Sequence, residues 1–392
     1  MTAPRFLKIS DFCETGSGTT PSRQKLERYY GGSIPWVKSG ELRESEITQT
    51  EESVTETALR ETTLKLVPAG ALLVAMYGAT VGRVGRLGIE ATTNQAVCHI
   101  LPDPSLADNH YIFHALCAKA TELIAKGVGG AQPNISQRMI KNTEIYLPSL
   151  EEQKRIASVL EQANALRRTR QRSVERLNTL SQALFYEMFG DPSSNPRGWP
   201  VGTIRDLVGE VKYGTAKKAH TEPRGLPVLR MGNITYDGCV DTRDLKYVEL
   251  LAKEVPKYTT RYGDILFNRT NSKDLVGKTA VFTEPKPMAI AGYLVRARVN
   301  EHADPFYISA YLNSKHGKKT LRSMCKNIVG MANINAQEFQ DITILMPPVE
   351  AQIAFGKKVE ALSAAKETFT AHLRKLDALF ISLQQRAFRG EL

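Results

Sequence analysis

Ile34-Pro35-Trp36-Val37-Lys38-Ser39-Gly40 returns 192 residues later as Leu226-Pro227-Val228-Leu229-Arg230-Met231-Gly232. Outward from that pair the two halves of the chain stay in step. Pro68-Ala69-Gly70-Ala71-Leu72-Leu73 aligns with Arg261-Tyr262-Gly263-Asp264-Ile265-Leu266 at an offset of 193, and Gly82-Arg83 with Gly277-Lys278 at 195. Asn134-Ile135-Ser136 aligns with Asn333-Ile334-Asn335, Leu147-Pro148 with Met346-Pro347, and Glu151 and Gln153 with Glu350 and Gln352, all at 199. The order never breaks, and the offset grows as small insertions make it grow. The chain is therefore a tandem duplication of a unit of about 195 residues.

Each half begins with short apolar runs punctuated by glycine and proline. Ala71-Leu72-Leu73-Val74-Ala75-Met76 and Asp264-Ile265-Leu266-Phe267 read as buried strands. A helical stretch follows near residues 109–126 and again near 305–325. This gives an α+β domain of roughly 150 residues, long enough to bury a core. The remainder of each half is one long helix. Ser149-Leu150-Glu151-Glu152 is a capping box. Leu160, Ala163, Val174, Leu177, Leu184 and Met188 then fall on alternating three- and four-residue steps, with Arg167, Arg170 and Ser181 filling the same register. Adding 199 gives Val359, Leu362, Lys366, Phe369, Leu373, Leu376, Phe380, Leu383 and Ala387. Both halves thus keep one heptad register over about 28 residues. Gly190 with Pro192 ends the first helix, and Gly390 lies past the second. A narrow apolar seam leaves a lone helix poorly buried, so each should pair with its copy. Within one chain the natural pairing is antiparallel, which predicts two domains separated by an intramolecular two-helix coiled coil roughly 60 Å long.

The 392 residues carry a net charge of +11, and its distribution is uneven. Residues 1–149 are neutral, 150–190 carry +2, 191–347 carry +7 and 348–392 carry +2. The basic third segment suggests a polyanionic partner, most simply nucleic acid. The five cysteines are scattered without a Cys-x-x-Cys pair, so neither a disulfide framework nor a zinc site is expected. No apolar run approaches a membrane span, and the N-terminus has no secretory core, so a cytoplasmic protein without membrane attachment is expected. Enzyme signatures are absent. Ser272-Lys273-Asp274-Leu275-Val276-Gly277-Lys278-Thr279 ends like a phosphate-binding loop but has Ser272 where the first glycine belongs. The seven histidines do not cluster at ligand spacing, so no metal site and no catalytic residue are assigned.

The layout resembles the specificity subunits of type I restriction–modification systems. Gly130-Ala131-Gln132-Pro133-Asn134-Ile135-Ser136, followed by residues 147–156 (Leu-Pro-Ser-Leu-Glu-Glu-Gln-Lys-Arg-Ile), looks like that family's junction of recognition domain and helix. Residues 263–272 (Gly-Asp-Ile-Leu-Phe-Asn-Arg-Thr-Asn-Ser) look like its mid-domain strand and loop. The second junction departs from the pattern: it reads Gly330-Met331-Ala332-Asn333-Ile334-Asn335, and Pro348 stands where Ser149 stands. The resemblance implies target recognition domains at 1–149 and 199–347, spacer helices at 150–190 and 348–392, and a linker at 191–198. It implies a non-catalytic subunit whose domains each read one half of a split site on double-stranded DNA in phage defence. The helices would set the spacing and dock two methyltransferase subunits. Restriction subunits would join them, and S-adenosylmethionine, ATP and Mg would belong to the partners. An RNA-binding scaffold with a coiled-coil arm is the rival reading, and duplication of the whole unit argues against it.

Candidate DNA contacts are polar residues in loops between the apolar runs. Arg or Lys suits guanine edges, Asn or Gln suits adenine, and other cations suit phosphates. The first domain offers Lys38, Ser39, Tyr77, Arg83, Asn94 and Gln95. The second offers Arg230, Asn233, Arg269, Asn271 and Lys273, with Tyr213, Lys217 and Lys218 better suited to phosphates. Asn134 and Ser136 read as a helix cap.

Overall fold

The computed structural model describes residues 5–127, 134–272, 275–325 and 332–392. Candidate Lys273, and residues 130–133 and 330–331 of the two junction motifs, lie outside them. The chain forms two compact units, Met1–Arg170 with His372–Leu392, and Gln171–Ala371.

The quoted repeat is the same strand in both units. Tyr30–Val37 pairs antiparallel with Glu52–Val54 and parallel with Thr92–Thr93. Leu226–Leu229 pairs antiparallel with Lys246–Val248 and parallel with Ala289–Ile290. A larger sheet lies in each unit. In the first its order is Cys13–Ser17, Val97–Pro102, Leu72–Ala75, Val84–Leu87, Glu46–Ile47. In the second it is Val208–Tyr213, Leu294–Val299, Ile265–Asn268, Thr279–Val281. Leu72–Ala75 and Ile265–Asn268 are buried along their whole length. Burial on both faces is why these strands read as unbroken apolar runs rather than alternating ones. A two-stranded ribbon completes each unit, Arg5–Lys8 with Glu144–Leu147 and Val201–Thr203 with Thr343–Leu345.

The helical stretches differ between units. Asn109–Ala125 is one helix capped by Asp108, whose Oδ1 accepts Tyr111 N at 2.9 Å. The second stretch is helical as expected but made of two helices, Pro305–Asn313 and Lys315–Met324. Ser314 divides them: its Oγ accepts Gly317 N at 3.0 Å and starts the second piece. A Cβ on Gly317 would lie 2.3 Å from Tyr311 O, so the break needs that glycine.

The long helices span Leu150–Phe189 and Val349–Ala387. Gly190 (φ 81°) and Gly390 (φ 77°) sit just past them in the left-handed region that glycine tolerates. Ser149 Oγ accepts Glu152 N at 3.3 Å, but the Glu152 carboxylate turns away to Arg155, 2.6 Å off. Each unit takes the start of one helix and the end of the other. In the first unit Phe380 and Ala387 join a core containing Ile9, Leu72, Tyr111, Ile156 and Leu160. Arg167 pairs with Asp377 at 2.7 Å and lies over the Phe380 ring, which explains one polar position in the seam. Arg155 reaches Leu392 O at 2.9 Å. In the second unit Phe185 and Phe189 meet Phe355 at centroid distances of 6.0 and 5.5 Å. Pairing late residues of one helix with early residues of the other makes both contacts antiparallel. Of the expected seam, Leu160 is fully buried, and Val174, Leu177, Leu184, Val359, Leu362, Leu373, Leu376 and Leu383 are half-buried. The seam shifts near its end: Phe185 and Phe189, one residue on from Leu184 and Met188, are the fully buried pair. There the helix faces a globular core as well as a partner helix, and the bulkiest rings take the core.

Two internal links repeat as faithfully as the strands. Gln153 is fully buried; its Oε1 accepts Asp108 N at 2.8 Å, and its Nε2 donates to Leu106 O and Pro148 O at 3.0 and 2.9 Å. Gln352 is buried in the same way, accepting from Asp304 N at 3.1 Å and donating to His302 O and Pro347 O at 3.3 and 2.9 Å. Tyr111 Oη donates to Tyr146 O and Tyr307 Oη to Leu345 O. Each unit thereby locks its domain helix, ribbon strand and long helix into one piece.

Candidate nucleic-acid interface

At one edge of each unit four backbone hydrogen bonds cross between neighbouring strands in the same pattern: three prolong ladders within a sheet, and one, from Thr19 or Thr215, joins the two sheets. In the first, Gly18 N donates to Val97 O, Thr19 N to Thr93 O, Asn94 N to Val37 O and Met76 N to Ala96 O. In the second, Gly214 N donates to Leu294 O, Thr215 N to Ile290 O, Ala291 N to Leu229 O and Arg269 N to Tyr293 O. The crossing requires glycine at its tightest point. A Cβ on Gly18 would lie 2.1 Å from Thr93 O, and one on Gly214 would lie 2.2 Å from Ala291 O. Gly18-Thr19 and Gly214-Thr215 are a further repeat pair at an offset of 196, a signal present in the sequence that the candidate list missed.

The first unit's candidates converge on this edge. Lys38 follows the strand that Asn94 crosses, and Ser39 O accepts Thr80 Oγ1 at 3.0 Å. Tyr77 follows Met76; burial pushes its phenol up, partly offset by a hydrogen bond with Gln95. Gln95 and Arg83 are exposed. Lys38 is already neutralised, with Nζ 2.8 Å from Glu51 and 3.0 Å from Glu52. Arg23 and Lys38 together hold the Glu52 carboxyl at about 2. Ser136 Oγ accepts Met139 N at 3.2 Å and caps the short helix Gln137–Lys141.

The second unit's edge has the same frame and different chemistry. Arg269 lies over the Tyr213 ring at 4.9 Å, and its guanidinium reaches Gly292 O at 3.4 Å. Tyr213 is 44% exposed, and its Oη accepts Ala336 N. Tyr293, outside the candidate list, is 51% exposed beside them. The first unit has Ser17, Met76 and Ala96 at the matching crossings. Asn271 pairs with Ala332 across a short ribbon, and its Oδ1 accepts Ser272 N. Lys218 is exposed, whereas Lys217 is engaged by Glu254 at 2.6 Å. Arg230 is bridged to Asp244 at 2.9 Å. Asn233 is buried, and its amide is consumed within its own loop by Arg230 N, Asp241 O and Asp244 O. It shapes the loop instead of facing outward.

The two modules share one backbone frame and differ in the side chains at its edge. The comparisons with known proteins agree. The family model for the type I restriction modification DNA specificity domain matches residues 5–176 and again 196–376. The chain belongs to that family. It is 28% identical over 286 residues to the Type I restriction enzyme MjaIX specificity subunit of Methanocaldococcus jannaschii, covering 67% of this chain and 65% of that one. It is 27% identical to the EcoKI specificity subunit of Escherichia coli strain K12 over 48% of this chain and 42% of that one. These matched regions span less than two thirds of either relative. The StySPI specificity subunit of Salmonella potsdam aligns over 95% of this chain and 86% of its own length at 23% identity. The fold is that of the S subunit from M. genitalium, with TM-score 0.61 and 15% identity over 98% of this chain and 96% of that one. No helix among the described residues is long and apolar enough to cross a membrane.

Proposed function

We propose that this chain is the DNA sequence-recognition subunit of a type I restriction–modification complex and is itself non-catalytic. The observation that carries the reading is the duplicated edge, in which the same crossings carry different side chains. A fixed frame holds both edges in one geometry against a duplex, and the exchanged side chains let each read its own bases. Family membership supports the same conclusion. On this reading Arg269, braced by Tyr213, is the leading base-reading cation, and Lys218 is suited to phosphate. The repeated junctions around residues 147–156 and 346–353 offer two similar surfaces, which suits two methyltransferase subunits per chain, with restriction subunits joining the complex. S-adenosylmethionine, ATP and Mg would then be bound by those partners.

Exchanging residues 1–149 for the corresponding segment of a relative tests this reading. Mapping modified adenines across a genome should show one half of the recognised site replaced and the other half intact. A change in both halves, or in neither, rejects the assignment. Arg269→Ala should relax one base position in the other half and weaken binding by about 1–3 kcal/mol, measured on a panel of single-substitution duplexes.

A further inference from the structure

The helix Lys315–Met324 contains no acidic residue. Lys315, Lys318, Lys319 and Arg322 recur at three- and four-residue steps and so form one stripe, with Leu321 and Gly317 buried on the other side. The stripe adjoins the second unit's edge. Lys318 Nζ sits 3.4 Å above the Tyr236 ring centroid and donates to Tyr236 O at 3.2 Å. Lys278, whose carbonyl accepts Asn268 N one residue before Arg269, sends its Nζ to Met231 O at 3.1 Å. Two other cations on this edge are neutralised by carboxylates, Lys217 by Glu254 and Arg230 by Asp244. Lys278 and Lys318 hydrogen-bond only to carbonyls, Lys318 also standing over a ring, and burial holds both ammonium groups below the usual lysine range, with the Asp237 charge partly offsetting this for Lys318.

The first unit lacks this feature at the matching place. Gly82 and Gly277 are repeat partners. A Cβ on Gly82 would touch Ile124 at 2.7 Å, and one on Gly277 would touch Leu321 at 2.7 Å, so Leu321 corresponds to Ile124. The stripe therefore maps onto Ala118, Thr121, Glu122 and Ala125, all exposed and none basic. This contrast locates much of the second domain's excess of charge on one helix face.

We infer that the stripe Lys315, Lys318, Lys319 and Arg322 is a phosphate-backbone clamp that grips duplex DNA beside the second half-site and has no counterpart on the matching helix face of the first unit. The inference rests on the proposed DNA-recognition reading. A phosphate clamp contributes affinity without sequence information. It binds by releasing counterions, so log K falls with log salt by about 0.9 per phosphate engaged.

The test uses the full chain and fluorescent duplexes, cognate and scrambled, titrated across a salt series. The variant K315Q/K318Q/K319Q/R322Q should lower the salt slope by about 2–4 and weaken binding about 10- to 1,000-fold at physiological salt. The loss should be equal on both duplexes, so that cognate preference is retained. Because Lys318 packs on Tyr236, the charge-preserving variant K315R/K318R/K319R serves as the folding control and should keep the wild-type slope. The reciprocal variant A118K/T121K/E122K/A125R should raise the slope of the otherwise wild-type chain. If wild type discriminates cognate duplex while the glutamine variant keeps its slope and affinity, the clamp is rejected and the DNA-recognition reading stands. The clamp is also rejected if the variant's loss appears with RNA or with a partner subunit but not with duplex DNA. A wild type that binds neither duplex overturns the underlying reading itself.

Discussion

Deleting residues 372–392 is expected to unfold the first unit, which lies about two hundred residues away in sequence, and to leave the second unit folded. Phe380 and Ala387 are core residues of the first unit, and Leu383, Phe388 and Leu392 pack onto that core. Phe388 lies 5.4 Å from the Tyr111 ring, and Phe380 lies 6.3 Å from His114. Burying one such apolar side chain stabilises by roughly 1.5–3 kcal/mol, so losing several together approaches the whole stability of an ordinary domain. The second unit ends at Ala371 and loses nothing from its own core. Hydrogen exchange reads the two units separately. Amides of Leu72–Ala75 should lose protection in the truncated chain, while those of Ile265–Asn268 keep theirs. Equal protection of both strands, or equal loss, would sink the shared-helix account.

The second large effect concerns the buried glutamines. Gln153→Leu keeps the volume and removes three hydrogen bonds at once from a fully buried amide, leaving the half-buried Asp108 N and Pro148 O, and the Leu106 carbonyl, without their partner. Each stranded group costs about 1–3 kcal/mol, so a loss of about 3–5 kcal/mol is expected for the first unit. Gln352→Leu should do the same to the second unit through Asp304 N, His302 O and Pro347 O. The unit affected should follow the residue changed. Denaturation monitored through Trp36 for the first unit and Trp199 for the second separates them, since the chain's two tryptophans fall one in each. A loss under about 1 kcal/mol would mean that these amides do not hold the junctions together.

The duplication was legible because repeats announce themselves as ordered matches along the chain, whatever the fold. The long helices were legible for a related reason: helical periodicity is a local property, and Gly190 and Gly390 mark their ends through backbone conformation alone. The sequence also presented the matched pair Gln153 and Gln352, though not its purpose, because a buried amide is indistinguishable from an exposed one until its partners are placed. The candidate interface was half legible. Polar loop residues after apolar strands gave Lys38, Asn94, Tyr213 and Arg269, which the crossings bring to equivalent edges. Asn233 looked like its neighbours in composition, and only the loop's closure showed its amide consumed. Tyr293 and the basic stripe went unnoticed because their meaning lies in what stands beside them.

The sequence by itself determined the tandem α+β repeat, the two long helices and the uneven charge. Each of these follows from the order and spacing of residues along one chain. The tertiary structure decided which residues share a unit. It placed Phe380 with Leu72 and Phe185 with Phe355, because an antiparallel partner brings late residues of one helix against early residues of the other. It also decided the edge. Long-range pairing sets which side chains meet there, and carboxylates distant in sequence neutralise Lys38, Lys217 and Arg230 while Lys278 and Lys318 stand against carbonyls and a ring.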